Sequence, residues 1–325
     1  MNQSQMVDFS WPYLLFILLA VSSATAQDSL LVLTSTPVFA DMADNIAGGR
    51  LKVESIIPLG TDPHSYLPSE ADGELLKEAD LLLFNGWGLE PWLDTLLRLH
   101  DPGLTVYRLS DNIQAVKEPD GNPDPHAWLS AENGLVYLDN VQKALSTLAP
   151  YDADIFDFNH GLYRQQLLDL DLSVQSALID IPGPVRLLPT WHNPFRYFGE
   201  RYGFRTAALR KEAEALPGAP VLFYESIADT AFLLSLAKKR GASLAGPLYT
   251  CTLSESTGPA ASYLEMLAHN SSLITQTLSL ASQPREPAPV YRHYIWPVLL
   301  LLGALLVWRL FRLYRQSGQV NQERK

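Results

Sequence analysis

The chain has 325 residues, 47 % of them hydrophobic, with 24 Lys and Arg against 35 Asp and Glu and a single cysteine, Cys251. That is room for one large or two medium domains with a substantial core. A net charge of −11 argues against nucleic acid as a partner, and one cysteine excludes an internal disulfide framework.

Residues 1–26 read as a secretory signal peptide. An apolar run from Trp11 ends in Ala24-Thr25-Ala26, a small-x-small cleavage signal. The ten residues before it have no Lys or Arg and carry Asp8, so an uncleaved N-terminal anchor is the alternative. Residues 29–35 have buried-strand character. Residues 37–47 place Val38, Phe39, Met42 and Ile46 at helical spacing and are closed by Gly48-Gly49, and 51–58 form a second strand. Helices are expected at 70–79 and 90–99, strands at 81–84 and 104–109. This alternation predicts βαβ units on a parallel sheet.

A polar loop at 112–124 leads to a helix at 132–148. Residues 152–181 then offer a long helix, with Ile155, Leu162, Leu167, Leu170, Val174 and Leu178 on roughly one face. Such a helix reaches on the order of 40 Å, enough to cross from one lobe to another. The rhythm restarts with a strand at 185–189, a helix at 195–202, strands at 204–209 and 221–224, a helix at 229–240, a strand at 243–245 and a helix at 259–277. The expected fold class is α/β. Two parallel-sheet lobes, 27–150 and 183–280, are joined by one long rigid helix at 151–182.

Residues 281–293 form a Pro-rich tether. Residues 294–311 are apolar apart from Arg309 and long enough to span a bilayer. From Arg309 onward there are five basic residues and one acidic, so 312–325 reads as a cytoplasmic tail and the body as extracytoplasmic. The body carries the remaining 19 basic and 34 acidic residues, a net −15 that is compatible with a cationic ligand.

One pattern occurs twice. Asp62-Pro63-His64-Ser65-Tyr66-Leu67 returns as Asp124-Pro125-His126-Ala127-Trp128-Leu129. Each proline fixes φ and pushes the preceding Asp to extended backbone, so each His is presented from a stiff turn. Taken alone, either turn could carry an incidental histidine. A third candidate, His192, follows the strand at 185–189, and ligand sites in open α/β folds lie at the carboxyl ends of strands. Two imidazoles from the first lobe and one from the second could therefore meet in the cleft as a metal site.

The motifs resemble those of the periplasmic metal-binding proteins of zinc and manganese ABC importers, the ZnuA/TroA-like family. The matching stretches are residues 58–68, Asn85-Gly86-Trp87-Gly88-Leu89-Glu90-Pro91-Trp92-Leu93, the second Asp-Pro-His, His192-Asn193-Pro194-Phe195-Arg196-Tyr197-Phe198 and Gly246-Pro247-Leu248-Tyr249-Thr250. The resemblance covers about residues 30–278. It implies that His64, His126 and His192 are metal ligands, with metal in the cleft between two lobes of limited hinge motion. It also implies delivery to an inner-membrane ABC permease and its ATPase by a monomeric receptor. Here that receptor would be tethered to the inner membrane by its C-terminal helix, since no lipid-attachment cysteine follows the signal peptide. Glu225 resembles a family glutamate after a strand and is expected to bond an imidazole N–H; a surface or capping role is the alternative.

Three departures matter. Cys251 stands where the family has an Asp that can supply the fourth ligand. A thiolate there would suit Zn²⁺ and disfavour Mn²⁺, with water as the alternative fourth ligand. The segment between Leu209 and Val221 is shorter than in the family. The loop before His126 lacks the His-rich insertion of many zinc-uptake members. Asp62 and Asp124 are expected as turn-formers, with support of an imidazole as the alternative, and Trp87, Trp92 and Trp128 are expected as core. His100, His160, His269 and His293 are expected to be solvated. Two rival functions follow from the same residues. One is a zinc-dependent hydrolase or hydratase, against which stands the lack of a His-Glu-x-x-His helix or an obvious general base. The other is a metal-binding adhesin or metallochaperone that serves no importer.

Overall fold

The computed structural model describes residues 30–98, 103–210, 216–283 and 291–322, without the side chains of 291–294 and 314–322. Residues 1–26, expected as a signal peptide, His100, most of the expected Pro-rich tether, the His293 side chain and the end of the tail lie outside the described residues, as does most of the segment after Leu209 expected to be shortened. The chain divides into one compact unit through Ser282 and a second from Gln283 onward.

The first lobe is a four-stranded parallel sheet in the order β2-β1-β3-β4. Its strands are β1 (Leu31–Thr34), β2 (Lys52–Ser55), β3 (Leu81–Phe84) and β4 (Thr105–Arg108), with α1 (Pro37–Ala47), α2 (Glu70–Glu78) and α3 (Leu93–Leu97) as crossovers. β1 and β3 are buried along almost their whole length, as their apolar runs require. α1 starts on Pro37 and stops at Gly48, whose φ of 56° only glycine adopts cheaply. α3 is shorter than its sequence suggests. The Glu90 side chain turns back to bond the backbone of Asn85 and Gly86, so the helix begins only at Leu93.

α4 (Ala131–Leu148) leads into α5 (Ala153–Leu178), which at 26 residues is about 39 Å long. The buried stripe of α5 is Phe156, Tyr163, Leu167, Val174 and Leu178. Leu167, Val174 and Leu178 of the expected face are buried, Ile155 and Leu170 are half-buried, and Leu162 is 55 % exposed. Tyr163 takes the buried place beside Leu162, and its hydroxyl donates to Asp41 on α1 at 2.8 Å. The carboxylate of Asp171, also on α5, accepts from Arg201 and Tyr202 of the second lobe and fastens that lobe to the helix.

The second lobe contains two parallel ladders, β5 (Leu187–Thr190) with β6 (Arg205–Ala208) and β7 (Val221–Glu225) with β8 (Ser243–Leu248). α6 (Arg196–Tyr202), α7 (Thr230–Arg240) and α8 (Tyr263–Ser282) complete it. β8 runs three residues past its predicted end, through a register shift opposite β7. α8 starts four residues late, at Tyr263, whose backbone N–H is capped by Asp41 at 2.9 Å.

The second unit contains α9 (Tyr291–Gln322). Among the described residues, Ile295–Leu313 is the stretch long and apolar enough to cross a membrane, with a mean hydropathy of 1.7. Its described side chains are all exposed, Leu300 by 72 % and Trp296 by 70 %.

Candidate metal centre

Every element of the site sits at the carboxyl end of a parallel strand. His64 follows β2, the 85–90 turn follows β3, and His126 ends the long loop after β4. His192 follows β5, Glu225 closes β7 and Cys251 follows β8. A parallel sheet gathers these ends on one edge, and the two lobes bring their edges together.

The repeated motif folds the same way twice. Asp62 Oδ1 accepts the backbone N–H of His64 at 3.0 Å, and Asp124 Oδ1 accepts that of His126 at 2.9 Å. These are Asx turns, the local structure that Asp before Pro favours. The Pro63 carbonyl accepts from the Trp92 indole at 2.9 Å, and the Pro125 carbonyl from Asn85 Nδ2 at 3.0 Å. Each imidazole therefore projects from a turn held at both ends.

The three imidazoles converge. His64 Nε2 lies 3.0 Å from His126 Nε2, which lies 3.3 Å from His192 Nε2. With Cys251 Sγ, one ligand atom from each residue falls within 4.8 Å of all the others. A tetrahedral ion with Zn–N bonds of about 2.05 Å would hold nitrogens about 3.3 Å apart, so the imidazoles already stand at metal-bound spacing. Three lone pairs facing one another this closely are stabilised by a cation between them.

Two buried carboxylates aim the rings. Asp124 Oδ1 lies 2.8 Å from His126 Nδ1, and Glu225 Oε1 lies 3.0 Å from His192 Nδ1. With Nδ1–H donated to a carboxylate, Nε2 carries its lone pair into the cleft, the usual tuning of a metal-bound histidine. Glu225 also accepts the backbone N–H of Trp191 at 2.9 Å and of His192 at 3.2 Å. Burial acts to raise the Glu225 carboxyl, but His192 and these N–H groups outweigh it and hold it below the usual range. Asp124 was expected as a turn-former, with support of an imidazole as the alternative. It is fully buried and serves the turn and the ring together, with Arg196 Nε 3.2 Å from its other oxygen.

Burial, reinforced by the neighbouring imidazoles, pushes His64 down to about 3, and burial likewise lowers His126 against the pull of Asp124. Both rings are thus neutral at pH 7, the form that binds metal. Burial pushes the Cys251 thiol well up, so it holds its proton unless a cation takes its place. The Cys251 loop is pinned on both sides. The carbonyl of Thr250 accepts from the Trp128 indole at 2.9 Å, and Thr252 Oγ1 accepts from the Gly60 N–H at 2.8 Å.

The imidazoles open into a cavity of about 440 Å³, lined also by Trp87, Glu118, Asp120 and Arg210. Trp92 and Trp128 are buried in the core, and Trp87, partly buried, packs against the core and also lines this cavity. A larger cavity of about 770 Å³, between the 112–117 loop and α6, has no His or Cys in its lining. Two histidines expected to be solvated have partners: His160 Nε2 lies 2.8 Å from Asp139 and His269 Nε2 lies 3.0 Å from the Pro247 carbonyl.

Residues 32–277 match the family described as zinc-uptake complex component A, periplasmic (ZnuA). The chain belongs to this family. Among its relatives is the manganese-binding lipoprotein MntA of Halalkalibacterium halodurans, 31 % identical over 280 residues, a match covering 80 % of this chain and 93 % of MntA. The manganese ABC transporter substrate-binding lipoprotein PsaA of Streptococcus pneumoniae is 29 % identical over 296 residues, covering 82 % of this chain and 96 % of PsaA. The solved structure of the periplasmic zinc-binding protein TroA of Treponema pallidum superposes with a TM-score of 0.72 at 27 % identity, covering 77 % of this chain and 99 % of TroA. These relatives are binding proteins, and this ZnuA-family chain is a binding protein rather than an enzyme.

The two carboxylates give a first test. Asp124→Asn and Glu225→Gln each keep an oxygen for the imidazole N–H but remove the charge that strengthens the ligand. Each is expected to weaken metal binding about tenfold without abolishing it, measured by competition against a chromogenic chelator. Unchanged affinity in both variants would show that the carboxylates only fill space.

Proposed function

We propose that the protein is the metal-capturing component of an ABC importer. It holds one divalent transition-metal ion, preferentially zinc, on His64, His126, His192 and Cys251 and surrenders it to an inner-membrane permease driven by its ATPase. One observation carries this reading: three imidazoles and a thiol, delivered by strand ends of both lobes, meet within 4.8 Å. Two neutral rings and two buried carboxylates make a cage ready for a dication. The ion is cargo, bound by exchanging its water shell for fixed donors, and release requires the lobes, 27–150 and 183–280, to part about the 151–182 helix.

Manganese is the second reading, because MntA and PsaA are named for it. The donor set favours zinc. Thiolate is a soft ligand suited to zinc, whereas Mn²⁺ prefers oxygen. We also assign α9 as a membrane anchor that holds the body on the outer face of the inner membrane, a part that lipid plays in lipoprotein relatives. The deciding experiment is competitive titration of the purified protein with Zn²⁺ and Mn²⁺. A single site with sub-micromolar zinc affinity and much weaker manganese binding is expected. A preference for Mn²⁺ would overturn the metal assignment, and normal zinc uptake under starvation in a deletion strain would overturn the importer role.

A further inference from the structure

The turn after β3 has an unusual backbone. Gly86, Trp87 and Gly88 have φ of 85°, 55° and 79°, three consecutive residues in the left-handed region. Glycine accepts this freely, but a bulky side chain there is an outlier that its surroundings must enforce. The enforcement is visible. Glu90, buried behind the turn, accepts the Asn85 N–H at 2.8 Å and the Gly86 N–H at 3.1 Å, and is itself held by the Ser35 hydroxyl at 2.7 Å. At Gly86 a Cβ would come within 2.5 Å of Arg108 Cδ, so the turn is pressed against β4 as well. This device delivers one large side chain, the Trp87 indole, to the cavity into which the three imidazoles open.

We propose that Trp87 is a fixed cover on the metal cleft which slows entry and exit of the ion, and that Glu90 is the positioning residue that keeps it there. The proposal rests on the metal-binding reading of the His and Cys cage. An indole on the cavity wall excludes water from the route the ion takes without itself being a ligand. Its removal should therefore change rates more than affinity.

The test is stopped-flow zinc exchange, with release started by excess chelator, on the full chain in detergent. Trp87→Asn removes the indole yet keeps a residue that tolerates left-handed backbone, so the turn survives. It is expected to speed both release and capture about tenfold, leaving Kd within about threefold. Trp87→Phe should stay near wild type. Glu90→Gln should fall between them, since its amide can accept only part of what the carboxylate accepts. Thermal unfolding of the metal-free variants separates the roles: a purely structural tryptophan would lower Tm and weaken Kd without accelerating capture. That pattern, or unchanged exchange in Trp87→Asn, overturns the proposal while zinc binding by the wild type stands. Failure of the wild type to bind zinc at all would instead sink the metal cage, and the cover with it.

Discussion

Replacing His126 with alanine is expected to reduce zinc affinity by about 10³-fold. The apparent free energy of a zinc site with four protein ligands is about 10–16 kcal/mol, so each ligand carries roughly 2.5–4 kcal/mol, and the upper end is about 10³-fold. His126 is the central one, since its Nε2 is the atom that both other imidazoles approach. The substitution also strands Asp124, a fully buried carboxylate that loses its ring partner. That should cost a further ~1–3 kcal/mol of stability in the metal-free protein. Two readouts separate the effects. Isothermal titration gives the loss of affinity. Thermal unfolding with and without zinc gives the loss of linkage, because an ion at about 1,000 times its Kd stabilises the native state by about 4 kcal/mol. Wild type should show that upward shift in Tm and His126→Ala should not. A His126→Ala protein with a wild-type zinc shift would mean that the ion binds elsewhere.

Replacing Cys251 with serine should weaken zinc about 10²-fold and narrow the preference over manganese. Cys251→Asp, which supplies a hard oxygen, should narrow it further. The sharper signature is a proton. Burial keeps the thiol protonated in the free protein, and zinc must displace that proton to gain a thiolate. A thiol proton held in the free state and lost in the bound state means that affinity rises with pH, across the whole range below the raised thiol value. Zinc binding at pH 7 should therefore release one more proton from the wild type than from Cys251→Ser. Calorimetry in buffers of different ionisation enthalpy counts it. His64 and His126 add no such term near neutrality, because burial already holds both rings neutral there. Equal proton release in the two proteins would leave water in the fourth position.

Much of this architecture is legible in the chain itself. The alternation of apolar runs and helical spacings marks two parallel-sheet lobes, because buried strands and amphipathic helices each carry a local signature. The doubled Asp-Pro-His is equally local, and both copies fold into the Asx turn that their composition favours. What escapes sequence reasoning depends on partners far away in the chain. The Glu90 side chain serves the backbone five residues before it, so the expected helix start at 90 slips to Leu93. Asp124 reads as a turn residue with support of an imidazole as the alternative; that it fills both roles is settled only by the His126 ring folding back onto it. The bond from Trp128 to the Thr250 carbonyl joins residues 122 apart, and no periodicity encodes it. Leu162 fails as a core residue on α5, while the tyrosine one position later is buried and finds a half-buried carboxylate on α1. Trp87 does pack against the core as its hydrophobicity predicts, but the left-handed backbone of its turn also places it on the wall of the cleft, which no local pattern announces.

The central claim is that four side chains, three nitrogens and one sulfur, hold the cargo. X-ray absorption at the zinc edge, on protein loaded with one zinc per chain, reads that shell directly. The expected spectrum has three nitrogen neighbours at about 2.0–2.1 Å and one sulfur at about 2.3 Å. A shell of nitrogen and oxygen alone would contradict it, and would move Cys251 from the cage to the core.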